Sequence, residues 1–293
     1  MKIYELTNGV ISAKVRTQGA ELISLRKNST GQEYMWSGNP EYWSRVSPVL
    51  FPFVGKLKEQ QYTYKGTIYQ PKPHGFARDM CFDVVESETD RVVMQITDTD
   101  QTMLVYPFHF IFRIEYKLEG ETLKVSFSVK NEGEEKMYFS LGAHPGFACP
   151  LHEGEQRRDC YIGFDNVEKL NSRGVDISTG LVNDNYQEYL LENGLLSIAD
   201  DMFANDALVL EKHGITTVTL YNKNKKPYLS LKMEAPVYGI WSAAKEGAPF
   251  ICIEPWFGRC DATNFVGDLE NREYQNCLEP GRDFESGYIV TII

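Results

Sequence analysis

The sequence predicts an all-β protein, one large antiparallel β-sandwich occupying residues 1–293 as one domain, on three observations. Apolar residues recur at every second position in segment after segment, the signature of half-buried strands. Helical stripes are scarce. No Pro-, Ser- or Gly-rich linker and no repeat of fixed period divides the chain.

Taken in order, the first period-two segment is 10–16 and the second 91–97. In "FHFIFRIEYKLEG", Phe108, Phe110, Phe112, Ile114, Tyr116 and Leu118 alternate with mostly polar partners. "ETLKVSFSVKNEG" repeats the pattern with Leu123, Val125, Phe127 and Val129, and the intervening "LEGET" reads as the turn of an antiparallel hairpin. Further strand signals sit at 215–221, 228–234 and 288–293. "NPEYWSRVSP" and "ADDMFAND" are each expected to supply a turn or two of helix.

With 42% hydrophobic residues, including 17 Tyr and 16 Phe, the chain can form a substantial core. Its formal net charge of -11, with no basic run longer than "NKNKKP", argues against nucleic acid or an anionic membrane surface as partner. The start "MKIYELTNGV" has no apolar signal-peptide core, and no stretch approaches the ~20 apolar residues of a membrane span. Cys81, Cys149, Cys160, Cys252, Cys260 and Cys277 are scattered without a C-x-x-C pair, as buried small residues or free thiols would be. These features predict a cytoplasmic protein; they carry no signature of a particular oligomeric state.

Among the histidines, His109 falls on the polar phase of its strand, and His152 and His213 lie in charged, turn-like surroundings that predict surface positions. His144 in "LGAHPGFACP" and His74 in "PKPHGFAR" differ, because Gly and Pro fix an irregular backbone around each ring. Either an ordinary turn histidine or a site residue fits these surroundings. Glu254, in "FICIEPWFGRCD", ends an apolar run beside Trp256, where partial desolvation raises a carboxyl pKa and makes a better proton acceptor at neutral pH. The alternative is an internal bond from Glu254 to Arg259 or to a backbone donor. Glu279, in "NCLEPGRD", reads instead as part of a turn. No nucleophile elbow, phosphate loop, H-E-x-x-H or dinucleotide fingerprint is present. His74, His144 and Glu254 formally make a two-His-one-carboxylate set, but their spacing does not support it, and no metal is expected.

"HGFAR" (74–78), "GAHPGF" (142–147) and "CIEPWFGRCD" (252–261) resemble the aldose 1-epimerase, or galactose mutarotase, superfamily and its LacX-like branch. "GAELISL", "EYMW", "VLFPFVGKL", "FANDALVLE", "YGIWS" and "LEPGRDF" extend the resemblance over nearly the whole chain. It implies the mutarotase-type sandwich with a sugar cleft, and cofactor-free exchange of α and β anomers of a free aldose. By motif position Glu254 resembles the general base, His144 the general acid and His74 a second histidine near the ring oxygen. Arg78 would be a substrate-binding donor and Asp206 a sugar-hydroxyl acceptor. Lys56, in "VGKL", stands where relatives often carry arginine. Trp241 or Trp256 would stack on the sugar, or simply pack in the core. The mechanism expects carboxylate and imidazole about a pyranose ring apart. Two alternatives accompany this reading: a hexose-6-phosphate mutarotase, with Lys56, Arg78 and Arg259 as phosphate donors, or a non-catalytic carbohydrate-binding protein.

Overall fold

A computed structural model describes residues 1–293. Two antiparallel sheets dominate it. The nine-stranded sheet passes, edge to edge, through Leu195–Ser197, Tyr161–Phe164, Thr217–Tyr221, Pro227–Met233, Asp283–Ile292, Thr122–Asn131, Phe110–Glu119, Arg91–Thr97 and Asp83–Ser87. The second passes through Leu181–Leu190, Lys169–Asp176, Leu208–Glu211, Val237–Trp241, Phe250–Phe257, Leu141–Ala143 and Val49–Leu50, with Gly146–Ala148 added beside Phe250–Phe257. A four-stranded sheet, Ile3–Thr7 to Gln32–Glu33, packs its apolar residues into the same core.

The predicted hairpin is present, with register from Phe110↔Asn131 to Glu119↔Thr122. That register places Phe112 opposite Val129, Ile114 opposite Phe127 and Tyr116 opposite Val125, all buried. Alternation thus sends one whole face inward and the other to solvent.

Neither expected helical stretch is helical. At 39–48 the N–H groups of Tyr42 and Trp43 both reach the Asn39 carbonyl, but those of Val46 and Ser47 are taken by the buried Glu21 carboxylate at 2.8 and 2.9 Å. That competing acceptor ends any helix and holds the segment as a loop across the sandwich. Residues 199–206 form linked turns closing on Asp206, whose φ of 75° lies in the left-handed region. The α-helix that does form, Asp100–Met103, was not foreseen; Thr99 and Thr102 cap it reciprocally. No helix is long and apolar enough to cross a membrane.

Candidate active site

The strand Phe250–Phe257 is buried along its whole length but serves two different surroundings. Ile251, Ile253 and Phe257 belong to the main core of 64 buried residues lying inside the sandwich, whereas the alternate residues point out of the opposite face. There Phe250 and Cys252 join a five-residue cluster with Trp36, flanked by Trp43 and Trp241. Trp256 joins an eight-residue cluster with Val209 and Val237. Glu254 lies between these clusters with 1% exposure.

Two glycines make room for it. An added Cβ at Gly239 would stand 2.5 Å from the Trp256 ring, and one at Gly142 would stand 2.9 Å from it. The indole therefore lies across both neighbouring strands beside the carboxyl. Its N–H draws the Glu254 pKa down somewhat without meeting hydrogen-bond geometry.

His144 follows the strand Leu141–Ala143 and is anchored by its N–H to the Pro48 carbonyl at 3.0 Å. Its Nε2 lies 3.3 Å from Glu254 Oε2. The contact is close but misaligned, since neither Glu254 oxygen has a hydrogen bond. Trp43 lies over the imidazole with centroids 4.7 Å apart and planes at 31°, and Trp241 meets it edge-on at 5.4 Å. Burial, reinforced by Asp206, holds Glu254 well above the usual carboxyl range, and burial with His74 nearby holds His144 well below the usual imidazole range. Both groups favour their neutral forms, so the pair carries one proton between them.

His74 sits 6.2 Å from His144, ring to ring. Its backbone is left-handed at φ 63°, held because His74 N–H donates to the Gly55 carbonyl while Gly55 N–H donates to His74 Nδ1. That second bond fixes the neutral tautomer with its proton on Nε2. Burial, with Arg78, Arg45 and Lys56 nearby, pushes the His74 pKa down to about 3. His74 is therefore a hydrogen-bond donor of fixed direction. Gly75 is required beside it: its φ is 68°, and a Cβ there would stand 2.2 Å from the Phe51 carbonyl oxygen.

Arg78 is half-buried and donates to the Pro73 carbonyl at 2.9 Å, leaving its Nε unpartnered. Arg45, paired with Asp79 at 2.8 Å, adds positive charge on the same side. Lys56 lies against the turn glycine Gly180. Asp206 is exposed, binds the Ala207 N–H with one oxygen and exerts its charge on Glu254.

The structure thus groups Glu254, His144, His74, Arg78 and Trp241, with Asp206 and Lys56 acting on Glu254 and His74 by charge. It corrects the expected spacing of base and acid, which touch instead of standing a ring apart, because neighbouring strands of one sheet carry them. Arg259 bonds neither Glu254 nor solvent: it is 1% exposed and paired with Glu211 and Glu273, which removes it as a phosphate donor. His213 is half-buried against Tyr238, with its Nδ1 accepting from Ile215 N–H, instead of lying on the surface. His109 pairs with Asp98 in the open, and Glu279 with Lys136. Sequence reasoning missed Trp43 and Arg45; the sole signal was an aromatic and a cation in a stretch read as helix. A groove of about 780 Å³ on the nine-stranded sheet, ringed by ion pairs such as Arg91–Glu115, contains no histidine or cysteine and so lacks the proton-transfer groups gathered around Glu254.

The family model for aldose 1-epimerase matches residues 2–268. The chain belongs to the aldose 1-epimerase family. Within that family it is similar to protein LacX of Lactococcus lactis subsp. lactis, 30% identical over 300 residues covering 99% of both chains, which places it in the LacX-like branch. The solved structure of a galactose mutarotase related enzyme from Lactobacillus acidophilus superposes with a TM-score of 0.94 at 35% identity, covering 100% of this chain and 97% of that one. A galactose mutarotase-like protein from Lactobacillus casei gives 0.91 at 26% identity, covering 100% of both. The fold is of the galactose mutarotase type, and family membership supports an isomerase of the mutarotase class as the general activity.

Proposed function

We propose that this member of the family exchanges the α and β anomers of a free aldohexose, with Glu254 as base and His144 as acid. The observation that carries the reading is the 3.3 Å approach of carboxyl and imidazole on a desolvated, aromatic-walled sheet face. The anomeric hydroxyl and the ring oxygen hang from one carbon, so two proton-transfer groups this close can address both. The reactive form has the shared proton moved from Glu254 to His144. In ring opening, Glu254 carboxylate then takes the O1 proton, the C1–ring oxygen bond breaks, and His144 imidazolium protonates the departing ring oxygen. The products are the open aldehyde, a protonated Glu254 and a neutral His144. After rotation about C1–C2 the same pair reverses both transfers onto the other aldehyde face. One proton suffices for the cycle, and each positioned group contributes typically about 10²–10⁴-fold. Glu254 and His144, being in contact, can pass that proton back when the site is empty.

His74 Nε2–H would donate to the ring oxygen region, Asp206 would accept from sugar hydroxyls, and Trp241 with Trp43 would cover the C–H face. The test is anomer exchange followed by NMR or polarimetry with Glu254→Gln. Exchange should fall to the buffer rate while the folded spectrum persists; wild-type exchange would refute the assignment, and saturable binding without exchange by the native chain would favour a sugar-binding protein.

A second reading, a sugar phosphate as substrate, gains support from one feature: Arg45, Arg78 and Lys56 all place positive charge beside His74. Glucose, galactose and their 6-phosphates compared in the same assay separate the two readings.

A further inference from the structure

We propose that His144, Cys252 and Glu254 form a binding site for a zinc-like divalent cation, and that such an ion shuts the site by occupying both proton-transfer groups. One ligating atom from each residue lies within 4.8 Å of the others. The set comes from the outward face of Phe250–Phe257, where Cys252 and Glu254 are two residues apart, and from the turn that carries His144.

The geometry is that of a tetrahedral edge. Zinc–nitrogen and zinc–oxygen bonds of about 2.0–2.1 Å at a tetrahedral angle separate the two donors by roughly 3.3–3.4 Å. The His144 Nε2 to Glu254 Oε2 distance is 3.3 Å. With a zinc–sulfur bond of about 2.3 Å, the thiolate belongs roughly 3.5 Å from each of the others, and it already stands within 4.8 Å of both. An imidazole, a thiolate and a carboxylate suit a borderline-soft ion better than magnesium or calcium, which prefer oxygen.

Two further observations point to a ligand here. Both Glu254 oxygens are buried without a hydrogen bond, and Cys252 is fully buried at their side. A divalent ion held by one carboxylate and one thiolate leaves the assembly neutral, the state a desolvated floor tolerates best. Asp206 assists through its charge on Glu254, whereas Arg78 and Arg45 oppose it from the histidine side. Three protein donors leave one position of a tetrahedral ion unfilled. His144 Nδ1 has no acceptor to brace it, and losing such a brace typically costs about 10–100-fold in affinity. Binding should accordingly be weaker than at structural zinc sites.

The test uses the full-length chain with the exposed Cys81 and Cys277 changed to serine, so that neither competes. Titration with Cd2+ of metal-free protein should give a thiolate-to-cadmium absorption band saturating at one ion per chain. Cys252→Ala should abolish the band, and Glu254→Gln should weaken binding at least tenfold while the band remains visible at higher cadmium. A missing band, or one that survives in Cys252→Ala, overturns the site. Should Cys252→Ala not fold, an undiminished cadmium affinity in Glu254→Gln overturns it equally. Metal capture stands independently of catalysis; only the shutdown rests on the function proposed above. Zn2+ should lower catalysed anomer exchange toward the buffer rate as it saturates. A normal cadmium band with unaffected anomer exchange would keep the metal site and overturn the shutdown and the role given to the pair.

Discussion

The two faces of the strand Phe250–Phe257 meet different surroundings. On one face Ile251, Ile253 and Phe257 enter the continuous core; on the other, Cys252 and Trp256 belong to two small separate clusters with Glu254 between them. Alternation at period two lets adjacent residues do unrelated jobs. Stability is drawn from the inner face, while the outer face keeps a desolvated carboxyl that a stability-optimised chain would not retain.

The sharpest way to break this comparison is to change neighbours. Glu254→Gln should lower anomer exchange by about 10²–10⁴-fold, with a denaturant midpoint no lower than that of the native chain. Ile253→Ala, one residue away, should lose about 2–5 kcal/mol in urea unfolding, yet keep its turnover per folded molecule. A common loss of stability and activity in both variants would show that the faces are not independent. Gly239→Ala tests the boundary between them: the new methyl group must displace the Trp256 indole, at a cost of about 1–3 kcal/mol, and should reduce kcat by tilting the ring beside Glu254.

Smaller effects sharpen the outer face. Trp43→Phe should retain the stack on His144 and most of kcat, whereas Trp43→Ala should lower kcat more than it raises KM, measured over a range of sugar concentrations. His74, depressed to about 3 by burial and by the charges of Arg78, Arg45 and Lys56, gives a pH effect of known sign. Its unfolded form takes up a proton near pH 6.5 and its folded form does not, so it contributes stability above that pH that is lost as pH falls toward 3. His74→Asn should lose less stability than the native chain between pH 6.5 and 4, in chemical unfolding at fixed temperature. Equal losses would mean that His74 is accessible to protons in the fold.

The period-two pattern made the core strands legible: 91–97 and the hairpin from Phe110 to Asn131 appear where alternation put them. The burial of Glu254 was legible too, because an acid closing an apolar run is carried inward with it. The loop bearing Trp43 and Arg45 was not, since its course depends on Glu21, far away in sequence, capturing two backbone N–H groups. The approach of His144 to Glu254 depends on how Leu141–Ala143 registers against Phe250–Phe257, which no local pattern encodes. Arg259 misled for the same reason: its partners Glu211 and Glu273 come from other parts of the chain.

The seating of Trp256 over Gly142 and Gly239 has an evolutionary consequence. With that ring and its two bare backbone positions retained as a fixed paving, the surrounding loop residues can be exchanged without disturbing the interior. Changes in the sugar preference proposed above are therefore expected in those loops, with the paving left as it is.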